Sequence, residues 1–365
     1  MKGIRYLLLA SYLPMAALRA QPDTVARSEQ ISARLHYGFI IPHSESIRAV
    51  SNTNPAGLEL TYSRMALSRR AWENCNCFAR IGAYLNYTSF ANPMVLGETF
   101  GAGGYFEPLL AYRGRTTFSL RATAGLAYLT RVYDEQTNPQ NMFFSMPLSG
   151  LMALNLNAYY RLADQLQLVT SVNYNHISNG GTRQPNKGMN FPTASIGLAY
   201  QPRREVIPDS RQWRAAPLTQ RWLARALLFG TIKVLESTDE FPETPRTQWG
   251  TTLTTGYRVS RLHAFSGGLE YVNDNAVREY IRRDNQPDNF RQLALLAGYE
   301  LWPGRYTFSI HMAYNALRPG PNYADKIYQR YQLLYRAPSG LTAGIGLKAD
   351  RQVADGFDVR LGYGF

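Results

Sequence analysis

His176 and Ser178 are two residues apart and together have the side chains needed for acyl transfer. A histidine that takes the proton of a serine hydroxyl turns that serine into a nucleophile toward an ester carbonyl. The connection that follows is rich in the asparagine side chains and glycine N–H groups that form oxyanion holes. These donors are Asn179, Gly180, Gly181, Asn186 and Gly188. The same composition suits a polar hairpin loop in which Asn and Gly serve turn geometry. Spacing alone leaves both interpretations open.

The segment that leads to this pair has the alternating pattern of a β-strand. One of its faces is apolar, with Leu166, Leu168, Val172 and Tyr174. Because side chains alternate between the two faces of a strand, His176 and Ser178 continue the apolar row. Asn190, at the start of the next strand, has the same outward phase. Nucleophile chemistry at the end of a lipid-facing row indicates a lipid substrate.

Similar runs of about ten residues, separated by turn-rich connections, fill the rest of the chain. In the first half they are Ile31–Ile41, Ala56–Met65, Phe78–Thr88, Leu96–Ala111, Thr117–Leu129, Leu148–Leu162, Gln165–Ser178 and Phe191–Gln201. In the second half they are Trp222–Leu235, Gln248–Val259, His263–Val272, Phe290–Leu301, Tyr306–Leu317, Ile327–Ala337, Leu341–Ala349 and Gly356–Phe365. After the first 20 residues, no apolar run is long enough for a membrane-spanning helix. Strands can cross a membrane instead if they form a closed barrel, because closure satisfies every backbone hydrogen bond. The pattern predicts an all-β fold, a transmembrane antiparallel outer-membrane β-barrel of about 14–16 strands.

The connections alternate in length, as expected for periplasmic turns and outer loops. The loop between His176 and Asn190 then lies outside the membrane. The first 20 residues have a basic start, an apolar run and small residues before Gln21, which is typical of a secretory signal cut after Ala20. Residues 21–202 form a first set of strands with the motif loop 176–190, and residues 203–365 form additional strands that end on an aromatic residue. The long connection Pro202–Arg221 leaves open a division into an eight-stranded barrel and a second unit.

The formal net charge of +13 has two interpretations. Basic side chains could attract anionic partners such as lipid phosphates, or they could line a barrel lumen and its loops. Nucleic acid is not expected as the partner of an exported barrel. Cys75 and Cys77 are too few for a zinc site or a disulfide framework, and a bridge between residues this close would be strained. No cofactor follows from the residue pattern.

The run H-I-S-N-G-G-T-R-Q-P-N-K-G-M-N-F, residues 176–191, resembles the active-site segment of the lipid A 3-O-deacylase (PagL) family. Tyr105–Pro108 and Leu126–Thr130 resemble its longer outer-membrane relatives, the acyloxyacyl hydrolases, and the similarity covers about residues 31–201. The resemblance implies that His176 is the base and Ser178 the nucleophile, and that Asn186 stabilises the oxyanion. The family's triad acid falls at Asn190, a departure, since an asparagine can hold the histidine tautomer without stabilising imidazolium as a carboxylate does.

The resemblance and the residues together predict an outer-membrane serine esterase that removes an ester-linked acyl chain from lipid A of lipopolysaccharide. Its partners are then lipid A and the outer membrane, and its oligomeric state stays open. Glu98 and Glu107 are alternative carboxylates on the fourth strand. The competing hypothesis is a non-catalytic porin, transporter or structural barrel that retains the motif.

Overall fold

The computed structural model of the protein describes residues 27–213, 217–287, 289–350 and 353–365. The expected signal segment, residues 1–20, lies outside the described residues. Within the described part of the chain, sixteen antiparallel strands account for most of the structure. They are β1 Arg27–Gly38, β2 Ala56–Ala66, β3 Ala79–Ser89, β4 Glu98–Arg113, β5 Thr116–Leu129, β6 Leu148–Arg161, β7 Leu166–Ser178, β8 Met189–Tyr200, β9 Trp222–Leu235, β10 Thr244–Arg258, β11 His263–Asp274, β12 Arg291–Leu301, β13 Tyr306–Leu317, β14 Ile327–Arg336, β15 Leu341–Asp350 and β16 Val353–Gly364.

These strands close as two barrels of eight, β1–β8 and β9–β16. β8 pairs back onto β1, with Tyr200 opposite Ile31, so the first sheet has no open edge when the chain leaves it. β16 pairs with β9 in the same way, with Val359 opposite Gly230. The described part of the chain therefore has sixteen strands, the upper end of the predicted range of 14–16. The chain is divided into two barrels at the connection Pro202–Arg221, which is the alternative that the sequence left open.

Each barrel has an apolar outside and a polar, charged inside. Val172 and Val359 are 67% and 69% exposed on the outer rows. The first lumen holds buried ionic side chains, namely Arg34, Glu59, Arg80, Glu107, Arg121 and Glu205. The second holds Arg225, Glu270, Glu300, Arg330, Asp358 and Arg360. An eight-stranded barrel is just wide enough for side chains to fill, and these networks fill both interiors.

The long connections carry three short α-helices, α1 Glu45–Arg48, α2 Arg69–Glu73 and α3 Asn275–Arg283. Among the described residues, no helix has the length and apolar character needed to cross a membrane. Cys75 and Cys77, just after α2, are joined by a disulfide bond. Helix α3 follows β11 directly, and the Asp274 carboxylate caps it by accepting hydrogen bonds from the backbone N–H groups of Ala276 and Val277.

Candidate active site

The end of β7 and the beginning of β8 bring the motif residues together. His176 lies directly opposite Asn190 in the antiparallel register, while Ile177 between the motif residues is fully buried in the first barrel. His176, Ser178 and Asn190 therefore occupy the outward row, the phase that the sequence predicts. Residues 179–188 form the loop that crosses over them.

Asn190 orients His176. The Asn190 Oδ1 atom lies 2.7 Å from His176 Nδ1. Because a carboxamide oxygen only accepts, the contact places the imidazole proton on Nδ1 and leaves Nε2 as the proton acceptor. The alternative carboxylates make their contacts elsewhere: Glu107 is fully buried in the first lumen, where it accepts from Tyr159, and Glu98 accepts from Tyr87.

Two donors meet at the Ser178 hydroxyl oxygen. The Gly180 backbone N–H and the Asn186 Nδ2 atom each lie 3.0 Å from Ser178 Oγ. The contact that the hydroxyl could donate, to Asn186 Oδ1, is long at 3.5 Å, so its proton is weakly held. The hydrogen bonds of the described residues do not include one between His176 and Ser178.

Asn179 and Gly188 determine the path of the loop over His176 and Ser178. The Asn179 side chain donates to Ser145 Oγ and to the Arg183 carbonyl, so it braces the loop instead of pointing to Ser178. A Cβ atom on Gly188, which has a φ of +66°, would come within 3.1 Å of His176 Cε1 and 3.3 Å of Ser178 Cβ. Gly188 thus lets the loop backbone pass close to both side chains.

The Gly180 N–H is one of the donors that the loop sequence supplies, and in the structure it points to Ser178 Oγ. Its signal was the pair of glycines after Ser178 and Asn179, which the structure places at φ +68° and +77°. An N–H two residues after a serine reaches the serine hydroxyl when the residue between them turns the chain. The positive φ angles of the two glycines act beyond that N–H and set the path of the rest of the loop.

Ser178 is buried, although it lies on the outward row. It is only 3% exposed, whereas Val172 on the same row is 67% exposed. The cover comes in part from the second barrel. A Cβ on Gly180 would come within 2.5 Å of the Phe357 ring of β16, and one on Gly150, the cross-strand neighbour of Ser178, within 3.9 Å. The candidate site thus lies where the two barrels meet.

Another serine and histidine are in direct contact, but inside the second lumen. Ser266 Oγ lies 2.7 Å from His311 Nε2 and donates to Glu300 at 2.6 Å. His311 and Glu300 are fully buried. The cluster is part of the ionic network of the second lumen, where Glu300 also pairs with Arg225.

The outer row and its loop bring together a serine, a histidine oriented by an asparagine, and two N–H donors at the serine oxygen. In the described ranges no three His, Cys, Asp or Glu side chains converge as a metal site requires. The chemistry available to this arrangement from its own side chains is acyl transfer.

Comparison with known proteins covers both barrels. The family model for lipid A 3-O-deacylase (PagL) matches residues 56–199, and that for the acyloxyacyl hydrolase C-terminal domain matches residues 225–365. The second match extends the likeness beyond residue 201, where the resemblance seen in the sequence ended. No curated protein sequence matches the chain.

The chain is also similar to several solved structures. Neisserial surface protein A is 9% identical, with 48% of this chain and 98% of that chain covered and a TM-score of 0.34. The translocator domain of the autotransporter NalP from Neisseria meningitidis is 10% identical, with coverage of 94% and 89% and a TM-score of 0.20. On the two family matches, the chain is an outer-membrane β-barrel protein that belongs to the lipid A 3-O-deacylase (PagL) family.

Proposed function

We propose that the protein is a serine esterase that hydrolyses an ester-linked acyl chain of lipid A in the outer leaflet. The observation that carries the proposal is the arrangement at Ser178. Two donors lie 3.0 Å from its oxygen, and a histidine oriented by Asn190 lies two residues away on the same outward row. This end of the barrel also bears the long outer loops, so an ester in the adjoining leaflet lies at the same depth.

The reaction begins when Ser178 turns its hydroxyl toward His176. Nε2 takes the proton as Oγ attacks the ester carbonyl, and the carbonyl oxygen becomes an oxyanion beside the attacking atom. Asn186 Nδ2 and the Gly180 N–H are the donors within reach of that oxyanion. The tetrahedral intermediate expels the sugar alkoxide, which takes the proton from His176. Water, deprotonated by His176, then releases the fatty acid from Ser178.

Asn190 serves this cycle by holding Nδ1 protonated, which leaves Nε2 free to accept the serine proton. A carboxylate at this position would also stabilise the imidazolium that forms during the attack, and an amide oxygen carries no charge to do so. The proposed enzyme therefore has the correct tautomer with weaker stabilisation of the charged base.

The interiors of the barrels favour an enzyme over a pore. Both are filled by buried ionic networks, and the cavity beside His36 and Glu59 in the first barrel has a volume of about 30 Å³. A space of that size holds about one water molecule. A transport function needs a continuous path, and these side chains occupy it.

Ser178→Ala and His176→Ala test the proposal. Each purified variant is incubated with lipid A in detergent, and released fatty acid is measured by mass spectrometry. Because nucleophile and base act as a unit, either change should remove nearly all release. Ser171→Ala is the matched control, since Ser171 is on the same strand but bonds to Ser195 in the lumen.

All three variants should retain the faster gel migration of an unboiled, folded barrel. Fatty-acid release by Ser178→Ala at the unmodified rate would exclude the serine mechanism. Ion conductance without any release by the unmodified protein would instead select the transport alternative.

A further inference from the structure

The second barrel touches the motif loop where two of its own strands part. On the outer side, the backbone ladder between β9 and β16 ends at the pair Gly230–Val359, although both strands continue beyond it. We call the space bordered by residues 231–235 of β9 and 355–358 of β16 the open seam. Backbone groups that face the open seam are available to a neighbouring segment of the chain.

One carboxylate fixes the strands that border the open seam. Lys233 Nζ of β9 lies 2.8 Å from Asp355 of β16, and Lys348 Nζ of β15 lies 3.1 Å from the same carboxylate. Hydrogen bonds between charged partners are stronger than those between neutral groups. Asp355 therefore links three strand ends at the outer side of the second barrel, and the borders of the open seam form a firm support.

The motif loop packs into the open seam through its two glycines. The Gly181 carbonyl accepts a hydrogen bond from the Val234 N–H of β9 at 3.4 Å. A Cβ on Gly181 would lie 3.2 Å from the Asp355 carbonyl oxygen of β16. A Cβ on Gly356 would likewise lie 3.2 Å from the Gly180 carbonyl oxygen. Glycines on both sides thus let the loop and the strand come this close.

The Phe357 ring adds a side-chain contact to these backbone contacts. The three atoms nearest to a Cβ on Gly180 would all belong to Phe357. The same ring lies near Gly150, the cross-strand neighbour of Ser178. Within the loop itself the contacts are local, since the Gly180 N–H donates to Ser178 Oγ and the Gly181 N–H donates to Asn179 Oδ1. The packing on Gly180 therefore comes from β16.

This packing bears on catalysis because the Gly180 N–H is one of the two oxyanion donors of the proposed reaction. A donor stabilises an oxyanion only when it is held in place before charge develops. Glycine has no side chain to fix its own position, and it allows more backbone conformations than any other residue. The surface that packs on Gly180 thus limits where its N–H can point.

We propose that Phe357 is a positioning residue for the esterase reaction, and that Phe357 and the open seam together hold the Gly180 N–H at the Ser178 oxygen. The inference rests on the proposed function and gives the second barrel a part in it. The first barrel supplies the nucleophile and the base, and the second barrel fixes an oxyanion donor.

The test compares Phe357→Ala with Phe308→Ala in the full-length protein in detergent. Phe308 is the matched control, because it is also half-buried on the outside of the second barrel and its ring centroid lies 6.3 Å from that of Phe106 in the first barrel. Phe357→Ala should lower kcat for fatty-acid release from lipid A about 10–100-fold with KM unchanged, since a displacement of about 1 Å can cost about 100-fold. Phe357→Leu should restore most of the rate, and Phe308→Ala should leave kcat unchanged.

Hydrogen–deuterium exchange of residues 179–188 measures the hold on the loop without any substrate. Phe357→Ala should raise this exchange, and Phe308→Ala should not. A second pair of variants acts through the backbone: Gly356→Ala places a Cβ 3.2 Å from the Gly180 carbonyl oxygen, and Gly267→Ala places one 3.3 Å from the Leu296 carbonyl oxygen in β12. Only the first of these should raise the exchange of the loop.

Unchanged loop exchange in both Phe357→Ala and Gly356→Ala would overturn the proposal, and so would a kcat that Phe357→Ala raises or leaves unchanged. Absence of fatty-acid release by the unmodified protein would refute the proposed function instead. The exchange measurements would then still decide whether the second barrel holds the loop, so the two failures are distinguishable.

Discussion

Gly180→Ala tests the contact between the barrels at the candidate active site. Gly180 has a φ of +68°, and a Cβ there would approach the Phe357 ring to 2.5 Å. An L-residue in the left-handed region costs about 1–2 kcal/mol, and overpacking adds about 1–3 kcal/mol, so we expect a total loss of about 2–5 kcal/mol. The N–H that donates to Ser178 would also shift, and a misplacement of about 1 Å can lower turnover about 100-fold.

Gly114→Ala separates the cost of the left-handed backbone from the cost of crowding against Phe357. Gly114 has a φ of +60° with nothing within 4 Å of a Cβ, so the change should cost only the backbone part, about 1–2 kcal/mol, and leave activity intact. Phe357→Ala combined with Gly180→Ala should remove the crowding. The double variant should therefore lose less stability than the sum of the two single variants.

Urea unfolding in detergent micelles gives the stabilities, and fatty-acid release from lipid A gives the activities. Equal losses of stability for Gly180→Ala and Gly114→Ala would refute the reasoning, because they would show that Phe357 does not press on the motif loop. Strict additivity of Gly180→Ala and Phe357→Ala would refute it as well.

Three further results are expected. Asn190→Leu should lower turnover by releasing the imidazole, whereas Asn190→Glu should keep or raise it; unchanged kinetics in the leucine variant would place the orienting group elsewhere. Val359→Arg, on the outer row of β16, should cost about 2–4 kcal/mol if it lies near the bilayer midplane, and Tyr363→Arg, closer to the periplasmic end, should cost less in the same unfolding assay. Hydrogen bonds from Arg282 and other arginines lower the pKa of Glu279 in α3 to about 2. Glu279 should therefore stabilise α3 above its ordinary pKa of 4.5 and lose that effect as the pH falls toward 2, and Glu279→Gln should abolish this pH dependence of proteolysis at the helix.

The outer rows of the strands were predictable from the sequence. Val359, Leu361, Tyr363 and Phe365 lie exposed on the outside of the second barrel, as their alternation with polar residues predicts. The pairing of His176 with Asn190 follows from the same rule, because two strands joined by a loop pair in antiparallel register and matching outward phases bring the two residues opposite each other. Roles within the loop were less predictable. The Gly180 N–H donates to Ser178, whereas the Asn179 side chain donates to Ser145 and Arg183 instead. Only the backbone conformation of the loop decides which of its donors contacts the serine.

By itself, the sequence determined the strands, their outward and inward faces, and the residues gathered at the end of β7, because all of these depend on alternation between neighbouring residues. It did not determine closure. One barrel of sixteen strands and two of eight have the same local pattern, and the choice depends on whether β8 returns to β1, 169 residues away between Ile31 and Tyr200. The cover of Phe357 over Gly180 likewise arises between segments far apart in the chain. Contacts of that kind exist only after both barrels have closed, so only the tertiary structure decided that Ser178 is a buried site between two barrels.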